Sequence, residues 1–380
     1  MRQMCYSELP QSQTPSCRQK IKMSESFSFI GGYNFIGKGA IMEKKRYDGL
    51  KKSLPLAALV FSLPQAVHHR KRKIYDKKRS RLCATCDSPV EKEERRGDVI
   101  DVILRSPIDG FGLSCTLYPH DDARGVVQVI HGIHEHKGRY EHFARFLHSH
   151  GFAVAVSDTR GHGRSVGKRY PRGFMGAYQQ LRDDQYTITG YLKSIYPDKP
   201  FSLFAHSLGS LIARAYIQEY DSEIDKLILC GTVMYYRPVG AAVSLLRFIE
   251  FYTNISKWLR WDFLFPSSEE DILKKIDEDP DYMHSFQISE LMTIFELDRA
   301  ICDTRSYKRQ NLNLSILSIS GEHDYLVTGG KCGISATMNL LSQIGYKNMI
   351  SIVYPNMFHE ILKDPDREDV HKDILHFLIS

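Results

Sequence analysis

Ser207 stands in Ala205-His206-Ser207-Leu208-Gly209, where the apolar run FSLFAH ends and a helical pattern begins at once. A serine on a sharp strand-to-helix bend turns its hydroxyl outward, and small flanking residues let the bend close. That is the layout of a nucleophile elbow, usually spelled G-x-S-x-G; here alanine replaces the first glycine, and one added methyl leaves the bend able to form. An ordinary turn with a helix cap would give the same Ser-Leu-Gly tripeptide. A serine hydroxyl is a weak nucleophile near neutral pH, so it needs a histidine to take its proton and an acid to orient that histidine. Asp324, in ISGEHDYLV, follows the strand-like run SILSIS, and His359, in YPNMFHEIL, follows the last such run. The chain order Ser, Asp, His is the one this arrangement uses. The rivals are Asp158 as acid, which precedes the serine, and His162 as base. His323 reads as a loop residue, and His206 is expected to point elsewhere on the elbow.

An acyl-transfer site also needs two backbone N–H groups held ready for the developing oxyanion. One belongs to the residue after the nucleophile, Leu208. The other is expected in HGIHEHKGRY, residues 131 to 140, where Gly132 turns the loop and Ile133 supplies the donor. His134-Glu135-His136 looks superficially like a metal ligand set, but it lacks the HExxH spacing and a third ligand, so no metal is expected.

The elements that must hold these residues follow from residue 98 onward. DVIDVILR (98 to 105) and FGLSCTLY (111 to 118), joined across Asp109-Gly110, read as a hairpin. VVQVIH (126 to 131), FAVAVSD (152 to 158), FSLFAH (201 to 206), KLILCG (226 to 231), SILSIS (315 to 320) and MISIVY (349 to 354) read as buried parallel strands with helices between most of them. The class is α/β: a doubly wound, mostly parallel sheet with an antiparallel start. The gap from 231 to 315 exceeds what a crossover needs. It reads as a helical lid, about 234–312, over the strand ends, with helical patterns at 241–261 and 288–301. Its Phe248, Phe251, Tyr252, Trp258 and Trp261 suit an acyl chain, or simply pack the lid on the sheet.

Composition bounds the rest. The 380 residues carry a net charge of +6. Residues 1–96 hold 21 Lys and Arg against 9 Asp and Glu, so the remainder is mildly acidic, about −6, and a nucleic-acid partner is not expected. The eight cysteines are scattered without the density of a disulfide scaffold, which fits a reducing compartment. Cys83-Ala-Thr-Cys86 has no second CxxC and reads as incidental. Residues 1–96 read as a basic, poorly ordered extension, and 97–380 as the catalytic domain. Within the extension, LPLAALVFSLPQAV (54 to 67) precedes HHRKRKIYDKKRSR (68 to 81). The apolar run is too short to span a bilayer. The expectation for 54–81 is weak, salt-released contact with a membrane surface, with the body cytoplasmic.

HGIHEHKGRY, DTRGHGRS (158 to 165), AHSLGS, GEHD and the late His359, in that order, resemble the monoacylglycerol lipase and lysophospholipase branch of the α/β-hydrolases, which includes serine aminopeptidase-like members. The resemblance covers about 98–380. It implies an α/β-hydrolase fold with a helical lid and a carboxylic ester hydrolase that needs no cofactor. The implied substrates are small esters or single-chain lipids, cleaved by Ser207, Asp324 and His359. It also implies that Asp158, Arg160 and His162 serve structure. Alternatives on the same residues are an amide hydrolase and a non-catalytic binding module. Acyl-chain length, head group and oligomeric state are left open.

Overall fold

The computed structural model describes residues 60–79, 89–233, 239–253, 258–260, 278–283 and 285–380. Strands β4 (Gly125–Ile130), β5 (Phe152–Ser157) and β6 (Phe201–His206) are buried along their whole length. Such runs are apolar without alternation because helices cover both faces of the sheet. The other strands of this sheet are β1 (Val90–Arg96), β2 (Val99–Arg105), β3 (Gly112–Tyr118), β7 (Lys226–Cys230), β10 (Ser315–Gly321) and β11 (Met349–Tyr354). The nine run in the order β1-β2-β3-β5-β4-β6-β7-β10-β11. Pairing is antiparallel from β1 through β3 to β5 and parallel from there on.

Alternate strand residues feed two cores, as a period of two requires. Val126 and Ile130 join Leu181 of helix α3 (Tyr178–Ile195) and Leu211 of α4 (Leu208–Tyr220). Val127 and Val129 join Phe143 of α2 (Glu141–Ser149) on the opposite face. Ile374 of α8 (Arg367–Ile379) completes that second layer. Helix α7 (Gly330–Ile344) covers the first face beside β10 through Leu341 and Ile344. The expected doubly wound sheet with an antiparallel start is present, and the hairpin across Asp109-Gly110 is the β2–β3 pair.

The insertion between β7 and β10 holds α5 (Val239–Thr253) and α6 (Ile288–Ile301). It also holds a two-stranded sheet of β8 (Trp258–Arg260), where the pattern over 241–261 suggested helix, and β9 (Ser285–Gln287). At the end of that pattern, tertiary pairing of Trp258–Arg260 with Ser285–Gln287 overrides the local helical preference. Trp261 lies outside the described residues. Among the described residues no helix is long and apolar enough to cross a membrane.

The structure differs most from the sequence reading at the expected boundary after residue 96. β1, the charged run VEKEERR, pairs along its length with β2. An edge strand needs only backbone partners, and its exposed charges guard the edge against further pairing. Residues 60–79 form a helix, α1, that packs on the body rather than an unordered extension. Its body-facing residues recur at helical spacing: Phe61 stacks on Phe248, Pro64 is buried, His68 pairs with Glu296, Tyr75 reaches Asp183 (2.8 Å), and Arg79 reaches Asp183 (3.1 Å). The basic cluster hides this face in the sequence, since most of its cations point outward. Residues 1–59 and 80–88, with Cys5, Cys17, Cys83 and Cys86, lie outside the described residues. Cys115, Cys230, Cys302 and Cys332 are free thiols.

Candidate active site

Strand β6 ends at His206 and α4 begins at Leu208, so Ser207 alone makes the bend, at φ 51° and ψ −117°. A non-glycine residue with positive φ is strained and persists only where its surroundings over-determine it. Here Ser207 N–H donates to the Cys230 carbonyl (3.0 Å), and the Ser207 carbonyl accepts from Ser210 N–H (2.8 Å) and Ser210 Oγ (2.6 Å). Gly209 cannot be larger: a Cβ there would lie 2.4 Å from the Ile130 carbonyl oxygen of β4. Ala205 sits fully buried between Ile130 and Leu229, where its methyl is accommodated.

Asp324 follows β10 and His359 follows β11, on loops joined by the His323 N–H to Met357 carbonyl bond (2.9 Å). His359 Nδ1 lies 2.7 Å from Asp324 Oδ2. The imidazole lies against Gly231, whose φ of 53° and missing side chain are both required, since a Cβ would come within 2.9 Å of the ring. Burial pushes the His359 pKa down, but the Asp324 carboxylate more than offsets this and raises it above the ordinary histidine value. Ser207, Asp324 and His359 are all buried at the carboxyl ends of the parallel strands β6, β10 and β11, with β7 between the first two. The rival acid is placed elsewhere: Asp158 accepts from Lys137 N–H (2.7 Å) and Arg164 N–H (2.9 Å) and holds two loops together. Arg160 is buried between Asp109 and Asp184, and His162 lies against the carbonyls of Arg160 and Ile133.

The loop after β4 is anchored from beneath. His131 Nε2 accepts from Thr159 N–H (2.9 Å), so its Nδ1 carries the proton and donates to the Gly132 carbonyl (2.7 Å). Among the described residues nothing accepts from the Ile133 N–H. The Leu208 N–H is the first of its helix and has no intrahelical acceptor. Both expected oxyanion donors are therefore buried backbone groups with capacity to spare.

The residues between these donors carry a network that the sequence reading missed. His134, Glu135 and His136 diverge instead of converging on a metal. His134 bonds the Met283 carbonyl, and His136 Nε2 lies 2.9 Å from Asp279 Oδ2, so both reach the lid's returning segment. Glu135 turns inward. Its Oε2 accepts from Gly132 N–H (2.8 Å) and Tyr140 OH (2.6 Å) and lies 2.9 Å from His206 Nδ1, while Oε1 pairs with Lys363. Burial would raise this carboxyl's pKa, but Lys363 and His206 hold it well below the usual range. His206 in turn packs 4.8 Å from the His359 ring and contacts the His359 carbonyl through Nε2 (3.2 Å). The residue expected to point elsewhere thus links the oxyanion loop to the base. The available signal was a lone carboxylate in an otherwise glycine- and histidine-rich loop.

A cleft of about 390 Å³ opens beside this network, lined by Glu135, Arg139, Tyr140, His206, Glu360 and Lys363; Ser207 and His359 do not line it. Arg139 bonds Glu360 there (3.3 Å). The arrangement provides a buried nucleophile position, an oriented base and two backbone donors, parts that acyl transfer requires.

The serine aminopeptidase S33 family model matches residues 121–366. A monoacylglycerol lipase of Mycolicibacterium smegmatis is 24% identical over 269 residues, covering 69% of this chain and 90% of that one. A rat monoglyceride lipase is 25% identical over 280 residues, 70% of this chain and 86% of its own. Among solved structures, a thermostable carboxyl esterase from Bacillus coagulans superposes with a TM-score of 0.65 at 27% identity, covering 74% of this chain and 98% of that one. A monoacylglycerol lipase from Paleococcus ferrophilus shares the fold, with a TM-score of 0.58 at 24% identity over 70% of this chain and 98% of its own. With a match across well over half its length, the chain belongs to the serine aminopeptidase S33 family of α/β-hydrolases.

Proposed function

We propose that this chain is a serine hydrolase that cleaves carboxylic esters of single-chain lipids, monoacylglycerols or lysophospholipids, through an acyl-enzyme. The observation that carries the reading is the strained Ser207 on its elbow with the His359–Asp324 pair, 2.7 Å apart, at the same end of the sheet. Relatives named monoacylglycerol lipase and phospholipase support the substrate class. Ser207 Oγ attacks the ester carbonyl while His359 takes its proton, and Asp324 orients the ring and stabilises its charged form. The N–H groups of Ile133 and Leu208 receive the oxyanion. His359 then protonates the leaving alcohol, and water, activated by the same histidine, releases the fatty acid.

Single-chain lipids reside in membranes, and the basic segment within 54–81 supports peripheral contact with such a surface. The four free thiols support a reducing, cytoplasmic setting for the body. The test is hydrolysis of a panel of monoacylglycerols, lysophospholipids, short p-nitrophenyl esters and aminoacyl amides, with fluorophosphonate labelling of wild type and Ser207→Ala. Lipid-ester turnover with label confined to Ser207 is expected. Preferred cleavage of the amides would overturn the substrate class, and absence of labelling would overturn the enzyme assignment.

A further inference from the structure

The two edges of the nine-stranded sheet are finished differently. β1 shows solvent a run of charges, whereas β11, at the other edge, reads Met-Ile-Ser-Ile-Val-Tyr, without a charge or a proline. An open edge recruits another strand, and natural sheets blunt theirs with charge, proline, bulges or a covering element. On β11, Ile350 is 53% exposed and Ser351 beside it is exposed too.

The pairing with β10 shows which backbone groups are left over. The strands run parallel, with Ile316 opposite Met349 and Gly321 opposite Tyr354. The Asn348 carbonyl accepts from Ile316 N–H (2.8 Å), and the Tyr354 carbonyl accepts from Glu322 N–H (2.9 Å). Alternate residues of a strand bond to the same neighbour, so the even-numbered ones face β10 and Met349, Ser351 and Val353 turn their backbone groups outward. Met349 N–H is occupied by the Lys347 carbonyl (3.0 Å). Among the described residues nothing pairs with the backbone of Ser351 or Val353 on that side. Ile352 and Tyr354 pack with Ile374 and Phe377, so Ile350, of the same parity, lies on the α8 side of the sheet.

We propose that this edge pairs with the same edge of a second copy of the chain, joining the two sheets antiparallel across a two-fold axis at Ser351. A two-fold contact must be complementary to itself, and three features of β11 meet that condition. With Ser351 opposite Ser351, the two residues exchange N–H···O bonds, and Val353 N–H donates to the Met349 carbonyl of the second copy. Ile350 then falls opposite Ile352 of the second copy in a non-hydrogen-bonded pair, the closer kind at about 4.5 Å between Cα atoms, which covers its exposed side chain. Charge agrees with this register. The exposed Lys347 meets Pro355 and Asn356 of the second copy, where Glu322 holds Oε2 3.5 Å from Asn356 N. Each end of the paired strands thus brings a lysine to a glutamate, and like charges are kept apart. Because the strands run antiparallel across the axis, the two active sites open at opposite ends of the joined sheet, and each subunit keeps its own Ser207, Asp324 and His359.

The experiment is sedimentation velocity of the full chain across a concentration series, with hydrogen exchange of the segment 349–354 followed in the same samples. The variants are Ser351→Pro, Lys347→Glu, Glu322→Lys and the double variant Lys347→Glu/Glu322→Lys, each with its melting temperature. Wild type is expected to form dimers as concentration rises, with 349–354 gaining protection in step. Ser351→Pro removes an N–H that faces solvent in the single chain, a place where an edge strand accepts proline. It deletes both bonds at the axis and should weaken association by about tenfold or more. Each single charge reversal should weaken it by about threefold to tenfold, and the double variant should restore it, which misfolding of a single variant cannot imitate. Should Ser351→Pro fail to fold, the charge-reversal series decides alone. A monomer at every concentration, including one whose edge is covered by another segment of its own chain, would overturn the proposal. So would undiminished association of folded Ser351→Pro, a double variant no better than the singles, or a dimer in which 349–354 gains no protection.

Discussion

The carboxyl end of the sheet and the α1–α5 face are built by opposite rules. Ser207, Asp324 and His359 are 5%, 4% and 6% exposed, and each loop that carries them is bonded to a neighbouring loop or strand. At the α1–α5 face the large side chains are apolar and exposed, and much of α1 is held by rim contacts such as His68–Glu296. Strain at Ser207 can be maintained only in the first environment, because a strained residue relaxes unless close packing forbids it. The second can change surface chemistry at little structural cost. The rigid region can therefore hold the strain that the proposed chemistry needs, and the exposed face cannot.

Removing the nucleophile tests the rigid side most sharply. Ser207→Ala is expected to lower kcat/KM on a p-nitrophenyl ester at least about 10⁴-fold with the melting temperature preserved or raised. Near-normal turnover would place the chemistry elsewhere. Asp324→Asn should cost about 10³- to 10⁴-fold in kcat. It should also displace the acid limb of the pH–rate profile. His359 must be neutral to act as base, and the carboxylate raises its pKa above 6.5. Wild type should therefore lose activity below a pH somewhat above that value, and the asparagine variant should keep its residual activity to lower pH. An unmoved limb would detach Asp324 from the base.

Glu135→Gln probes the network joining the two histidines. It leaves Lys363 with one carboxylate fewer and weakens the tie from His206 to the Gly132 N–H. Breaking one side of a buried charge pair costs about 3–5 kcal/mol, so a clearly lower denaturation midpoint is expected, together with reduced kcat at similar KM. Unchanged stability would show the charges are better solvated than their burial implies.

Acid sensitivity should belong to the same region. Burial drives His131 down to about 4 and His162 down to about 3. The unfolded chain takes up these protons near 6.5 and the folded chain does not, so their stabilisation is complete above pH 6.5 and lost progressively as pH falls toward 3. A melting temperature flat between pH 7 and pH 4 would contradict this. The smallest effect is expected on the other side: Leu245→Ser should change stability by no more than about 0.5 kcal/mol. A large loss would mean that this side chain is packed.

Strands from 98 onward, the elbow at Ser207 and the order of Asp324 and His359 were legible in the residues because each depends on local patterning: continuous apolar runs, small residues at a bend, and polar residues just past a strand. The sequence alone determined the fold class and which residues end up at one end of the sheet. Tertiary structure decided what local patterning cannot encode. Glu135 finds His206 71 residues away and Lys363 228 residues away, and only the assembled sheet brings them together. β1 is strand because β2 offers an edge, although VEKEERR has no apolar face to announce it. α1 docks through a sparse set of contacts within a basic cluster, because a helix face can be held by a few partners on α3, α5 and α6 that no periodicity in 60–79 identifies.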